Sequence, residues 1–227
     1  MPISDHVATV VAEVRERIAA ARERGGHGQD VTLIAVTKTH GPDAVMAAWH
    51  AGVHDVGENK VQEAESKRAQ VTVPVRWHLV GHLQRNKAKN AAKFDLVHSL
   101  DSERLAVALN DAAGEAQRVL EVLVQVNVSG EGTKSGFALH ELPTVAERLH
   151  ACGNLRVRGV MTMAPFDADE SALRAVFRGA RDARSQLQGA GFRSEWLSMG
   201  MSGDYEVAIE EGATHVRLGT VLFGSRT

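Results

Sequence analysis

The sequence predicts a closed barrel of eight parallel strands wrapped by helices. Three observations carry this. Eight short apolar runs recur along the 227 residues. Helical patterns separate most neighbouring runs, which implies parallel pairing in βαβ units. Eight such units within about 200–250 residues fit a TIM-type (β/α)8 barrel. A doubly wound open sheet is the competitor, but the chain has no dinucleotide fingerprint.

The first element is an amphipathic helix. Val7, Val10, Val11, Val14 and Ile18 recur at helical spacing, with Glu13, Arg15, Glu16 and Arg17 between them. Gly25 and Gly26 stop it. It is an extra helix ahead of the barrel. Strands are expected at 31–38, 54–59, 76–81, 94–100, 118–127, 155–162, 195–200 and 215–220. Helix 42–50 begins with Pro42, suited to a first turn. Helix 102–113 follows a cap candidate at Asp101-Ser102. Helices 142–151 and 171–187 are the other long ones. No linker, low-complexity segment or tail interrupts the pattern, so residues 1–227 read as a single domain.

Bulk properties exclude several classes. Hydrophobic residues make up 44% and charged residues 24%, enough for an ordinary globular core. A formal charge of −2 argues against bulk electrostatic binding of nucleic acid. The single cysteine, Cys152, allows no internal disulfide and fits a reducing compartment. The 11 histidines show no metal-ligand spacing. No apolar run reaches the roughly 20 residues that span a bilayer, and the N-terminus is no signal peptide. A cytoplasmic protein with no membrane association is expected.

In such a barrel, function sits at the C-terminal strand ends. Lys38 ends the run V-T-L-I-A-V-T-K. Burial favours a neutral amine, and a neutral amine attacks aldehydes to give a Schiff base. A lysine snorkelling to solvent is the plain alternative. Ser202 and Gly203 follow the seventh run and open a short helix, 204–211. Unpaired N–H groups at a helix start attract anions, and glycine lets the backbone come close. Gly219-Thr220 ends the eighth run. Loops seven and eight are where barrels often hold phosphate; a serine cap and a turn glycine explain each piece equally well.

Arg217 lies within the eighth run, on the same face as Gly219. It either donates to a ligand in the mouth or forms an interior salt bridge, for instance with Glu58. Asn59 closes the second run and serves either a ligand or the following helix as a cap. His78 and His82 near the end of the third run read as satisfied core or surface groups before catalysts. The glycine-rich segment 126–137, with Lys134, is either a mobile cover for the mouth or a solvated loop. A reactive lysine, a phosphate cradle and an arginine together match one cofactor. Pyridoxal 5′-phosphate (PLP) carries an aldehyde, a phosphate and a ring nitrogen. An arginine at that nitrogen keeps it unprotonated and weakens the ring as an electron sink.

Seven motifs occur in order. They are A-V-T-K-T (35–39), G-E-N-x-V-Q-E (57–63), W-H-x-x-G-H-L-Q-x-N-K (77–87), Q-V-N-x-S-G-E-x-x-K-x-G (125–136), R-G-V-M-T (158–162), L-S-M-G-M-S-x-D (197–204) and V-R-L-G-T-x-x-F-G-x-R (216–226). As a set they resemble the pyridoxal phosphate homeostasis protein family, which is related to the barrel domain of alanine racemase. The resemblance covers nearly the whole chain. It implies a fold-type III barrel with PLP on Lys38 as a Schiff base. It implies phosphate contacts from Ser202, Gly219 and Thr220 with Gly203 beside them, Arg217 at the pyridine nitrogen, and Asn59 near the cofactor. It further implies a role in vitamin B6 balance without an established reaction. A monomer with PLP-dependent enzymes as partners is expected. Departures are slight. Thr37 stands where the family usually has serine, and Gly203 where alanine or aspartate is common. Racemisation needs an acid/base group on each face of the substrate. The related racemases take the second from a tyrosine in a C-terminal β-domain. The sequence stops at Thr227 and its only tyrosine is Tyr205, so the second base is expected to be missing.

Overall fold

The computed structural model describes residues 3–130 and 135–224. Eight parallel strands pair in sequence order, and the eighth closes on the first. They are β1 (Thr32–Val36), β2 (Asp55–Glu58), β3 (Arg76–Leu79), β4 (Leu96–Leu100), β5 (Leu120–Gln125), β6 (Leu155–Met161), β7 (Trp196–Ser198) and β8 (His215–Leu218). Every expected run is a strand, but most end one or two residues early. At β1 the apolar pattern continues through Thr37 while the backbone already turns, with the His40 N–H donating to the Thr37 carbonyl. Lys38 therefore sits in a turn beyond the strand instead of ending it.

The helices are α1 (Ile3–Gly25), α2 (Pro42–His50), α3 (Val61–Arg68), α4 (Ala88–Ala91), α5 (Glu103–Glu115), α6 (Leu142–His150), α7 (Glu170–Gly189), α8 (Tyr205–Glu210) and α9 (Thr220–Phe223). α2 matches its expected limits because Pro42 fixes its start. α7 begins at its Asp169 cap, whose carboxylate accepts from the Ala172 N–H at 2.8 Å. α4 and α9, each four residues long, are too short to show a helical period. None of the described helices is long and apolar enough to cross a membrane. Lys134 lies outside the described residues.

The expected N-terminal helix is present as α1 and belongs to the outer ring. It packs against α2, α8 and α9 and buries Val7, Val11, Val14, Ile18 and Ala21. α9 is too short to cover the β8–β1 side, so α1 takes the place of the eighth outer helix. Arg17 and Arg24 reach Glu206 across this seam, and Arg24 also binds Glu210 at 2.6 Å.

The main hydrophobic core lies between strands and helices. Inside the barrel, Leu96, Leu123 and Met161 form a small apolar cluster with Trp196 against them, and Ile34, Val36 and Val80 are buried around Gly57. His78, His98, Ser198, His215 and Arg217 are buried as well. Bulky aliphatic side chains usually dominate this space. A polar interior must satisfy its own hydrogen bonds, and that requirement shapes the site.

Candidate functional site

Four strands adjacent around the ring, β7, β8, β1 and β2, carry all seven predicted site residues at or just beyond their C-terminal ends. Lys38 is half-buried, and its amine makes no hydrogen bond or ion pair among the described residues. Its turn is strained. Thr39, a β-branched residue, has φ of 68°, a left-handed conformation that costs energy unless neighbours hold it.

The neighbours are a buried ionic cluster. Lys67 Nζ donates to the Thr37 carbonyl at 2.6 Å, to Glu58 Oε1 at 2.6 Å and to Glu63 Oε1 at 2.8 Å. Thr37 Oγ1 donates to Glu58 Oε1 at 2.5 Å, and the Thr39 N–H donates to Glu63. The Lys67 side chain is 6% exposed and that of Glu58 is fully buried. Burial raises the Glu58 carboxyl above its usual range despite the hydrogen bonds from Lys67 and Thr37. Burial also pushes Glu63 upward, but Lys67 and the Thr39 N–H outweigh it and hold that carboxyl low. Lys38 is thus flanked on both sides by residues tied to α3 and β2. Sequence reasoning missed Lys67, Glu58 and Glu63 in this role, because V-Q-E-A-E-S-K-R reads as a solvated helix. The one available signal was the 63–67 spacing, which puts Glu63 and Lys67 on one helical face.

Arg217 is 5% exposed. The alternative of an interior salt bridge with Glu58 is not found among the described residues, where Lys67 takes that carboxylate. Arg217 Nη1 instead donates to Ser198 Oγ at 2.6 Å and Nη2 to the Thr162 carbonyl at 3.0 Å. Burial lowers its pKa to about 10. It makes no ion pair among the described residues: its hydrogen bonds go to neutral acceptors, and the Asp204 carboxylate acts on it without a direct contact.

The seventh and eighth loops meet. Ser202 Oγ accepts from the Val221 N–H in the first turn of α9 at 3.3 Å, so it ties the two loops together instead of capping α8. The helix expected at 204–211 begins one residue later, as α8, after a turn in which the Met201 N–H donates to the Asp204 carboxylate. The N–H groups of Ser202, Gly203, Gly219 and Thr220 make no hydrogen bond among the described residues. A Cβ at Gly203 would meet open space. Asn59 does not cap α3, whose N-cap is Lys60. Its amide has no partner among the described residues. A Cβ at Gly81 would lie 2.4 Å from the Asn59 carbonyl oxygen, so glycine there lets the β3 loop press against Asn59.

Other candidates fall away from this cluster. His82 is 62% exposed and pairs with Asp101. His78 is buried in the barrel, between His98 and Asp55. Tyr205 is buried at the start of α8, with Arg17 of α1 over its ring at 5.4 Å.

A free amine, an amide, converging N–H donors with a hydroxyl, and a buried guanidinium suit a ligand with an aldehyde, an anionic group and a basic ring nitrogen. The alanine racemase N-terminal domain model matches residues 11–227. A pyridoxal phosphate homeostasis protein of Pseudomonas aeruginosa is 42% identical over 226 residues, covering 99% of this chain and 96% of its own. Its counterpart in Aquifex aeolicus is 40% identical, covering 95% and 96%. This chain belongs to the pyridoxal phosphate homeostasis protein family. Among solved structures, PipY of Synechococcus elongatus with PLP bound superposes at a TM-score of 0.83. It shares 36% identity and covers 96% of this chain and 100% of its own. Alanine racemase of Streptomyces lavendulae shares the fold at a TM-score of 0.79 and 20% identity; the match spans 58% of that longer chain.

Proposed function

We propose that this member of the family holds pyridoxal 5′-phosphate at the barrel mouth and serves intracellular vitamin B6 balance. The supporting observation is the set of unused donors around a strained, braced Lys38. Its amine tethers the cofactor's aldehyde. Ser202, Gly203, Gly219 and Thr220 hold the phosphate, Arg217 faces the ring nitrogen, and Asn59 lies alongside. Bound there, the cofactor supplies an electrophilic carbon and an electron-withdrawing ring. The chain's own residues bind and orient it. The guanidinium, already charged, donates to the ring nitrogen and leaves it unprotonated.

The reading is of a binding protein and not an enzyme. Proton transfer at both faces of a substrate carbon needs two placed groups, and Tyr205 is packed beneath α1. We further propose one domain over 1–227, a cytoplasmic monomer, and PLP-dependent enzymes as acceptors. The purified protein with PLP is expected to be yellow, and borohydride to fix a pyridoxyl group on Lys38. Lys38→Ala is expected to lose the colour. A protein that takes up no cofactor ends this reading. Cα deuterium exchange of L-amino acids faster than with free PLP would make it an enzyme.

A further inference from the structure

A chain of buried side chains runs through the barrel behind Arg217. Arg217 donates to Ser198 Oγ, which lies 2.9 Å from His98 Nδ1. His98 Nε2 lies 2.9 Å from His78 Nδ1, and His78 Nε2 lies 2.8 Å from Asp55 Oδ1. His98 and Ser198 are fully buried and His78 is 1% exposed. Five strands contribute one residue each. Asp55 opens β2 at the barrel's N-terminal end, where it pairs with Arg76, the first residue of β3. His78 borders a cavity of about 310 Å³ at that end, with Arg76, Asp95, Arg118 and Trp196. The chain therefore links the mouth to the opposite face.

Donor and acceptor chemistry gives it a direction. A guanidinium only donates and a carboxylate only accepts. Ser198 Oγ thus accepts from Arg217, and His78 Nε2 carries a proton for Asp55. Burial, with the neighbouring Arg217 charge, holds the His98 pKa well below 6.5, so His98 is neutral. A neutral His78 leaves Nδ1 as an acceptor. His98 fills it with Nε2–H and accepts the Ser198 hydroxyl proton at Nδ1. Each donor then meets an acceptor. The reverse order needs a doubly protonated His78 in the interior and leaves the Ser198 hydroxyl proton without a described acceptor. Burial weighs against the Asp55 carboxylate, but hydrogen bonds from His78 and Arg76, with the Arg76 charge, outweigh it and keep that carboxyl low.

We propose that Ser198, His98, His78 and Asp55 are positioning residues for Arg217. They form a one-way hydrogen-bond chain that fixes the guanidinium at the mouth from the far end of the barrel. The effect on a bound cofactor rests on Arg217 facing the ring nitrogen; the chain itself is a property of the protein without cofactor. Asp55 orders the protons, and Ser198 is thereby kept as an acceptor for Arg217.

Long-range 1H–15N spectra of histidine-labelled, cofactor-free protein test this directly. Both His78 and His98 are expected as neutral Nε2–H tautomers at pH 7.5. A His98 Nδ1–H tautomer, or a cationic His78, overturns the chain. In Asp55→Asn, whose amide also donates, His78 is expected to populate both tautomers. The same variant is expected to weaken PLP binding about tenfold and shift its visible band, with far-UV circular dichroism unchanged. Asp55→Glu is expected to restore both. An unaltered band and affinity in Asp55→Asn overturn the positioning role. If Arg217→Met leaves bound PLP unchanged while the tautomers are as expected, the ring-nitrogen reading fails, and with it the link to the cofactor.

Discussion

The surroundings of Lys38 and those of Arg217 are both buried and polar, but they are built from opposite materials. Around Lys38 the partners are charged: Lys67 between Glu58 and Glu63, with Thr37 completing the set. Around Arg217 they are formally neutral: Ser198, a backbone carbonyl and, behind them, histidines. An ionic cluster holds by mutual charge and suffers when one member goes, because the remainder is left buried and unpaired. A neutral chain costs less to bury but depends on each proton pointing the right way. The first suits a strained turn that must not move. The second suits a cation that must reach a ligand without being neutralised by a carboxylate.

Breaking the ionic side should show most. Lys67→Met leaves Glu58 buried without its cation and is expected to cost about 3–5 kcal/mol in urea unfolding. Adding Glu58→Gln to it should recover much of the loss. A single variant as stable as wild type would show that the cluster does not brace the turn. On the neutral side the lever is pH. Burial holds His215 at about 3 instead of 6.5. The unfolded chain binds a proton there that the folded chain refuses. Stability therefore rises with pH across that interval and falls as pH drops below about 6.5, by about 2 kcal/mol from this residue at pH 5. His215→Gln should flatten that part of the profile.

A finer cut falls within the ionic side, at a single residue. Thr37→Val keeps the shape but removes the hydroxyl donor to Glu58, and is expected to cost about 1.5 kcal/mol. Thr37→Ser retains the donor and should stay within about 0.5 kcal/mol. Smallest of all is Lys38→Ala. Half-buried and bonded to nothing described, it should change stability by no more than about 0.5 kcal/mol while cofactor uptake is lost. A large destabilisation would mean that Lys38 belongs to the brace.

How much of this was legible depended on range. The eight strands were readable because each is a short apolar run with its own turn signals. The mouth residues were readable because a barrel puts every strand end on one rim. Strand ends were overrun at Thr37 and Asn59 because a residue can follow the apolar pattern after its backbone has left the ladder. Lys67 was hidden by its helix, which looks solvated until the turn of Lys38 is laid over it. His98 was hidden in L-V-H-S-L, an ordinary core run. Its partners come from positions 20 and 100 residues away, and no local pattern announces them.

The seam at α1 sets a condition on how the chain is made. The outer ring is finished by the first helix, yet that helix rests on α8 and α9, which leave the ribosome only after seven of the eight strands. Arg17 and Glu206 stand 189 positions apart. Contacts of such separation form slowly. During synthesis Val7, Val11, Val14 and Ile18 stay without their final partners until the barrel is nearly complete. The apolar stripe of α1 is thus the surface most exposed to chaperones or to self-association in the unfinished chain.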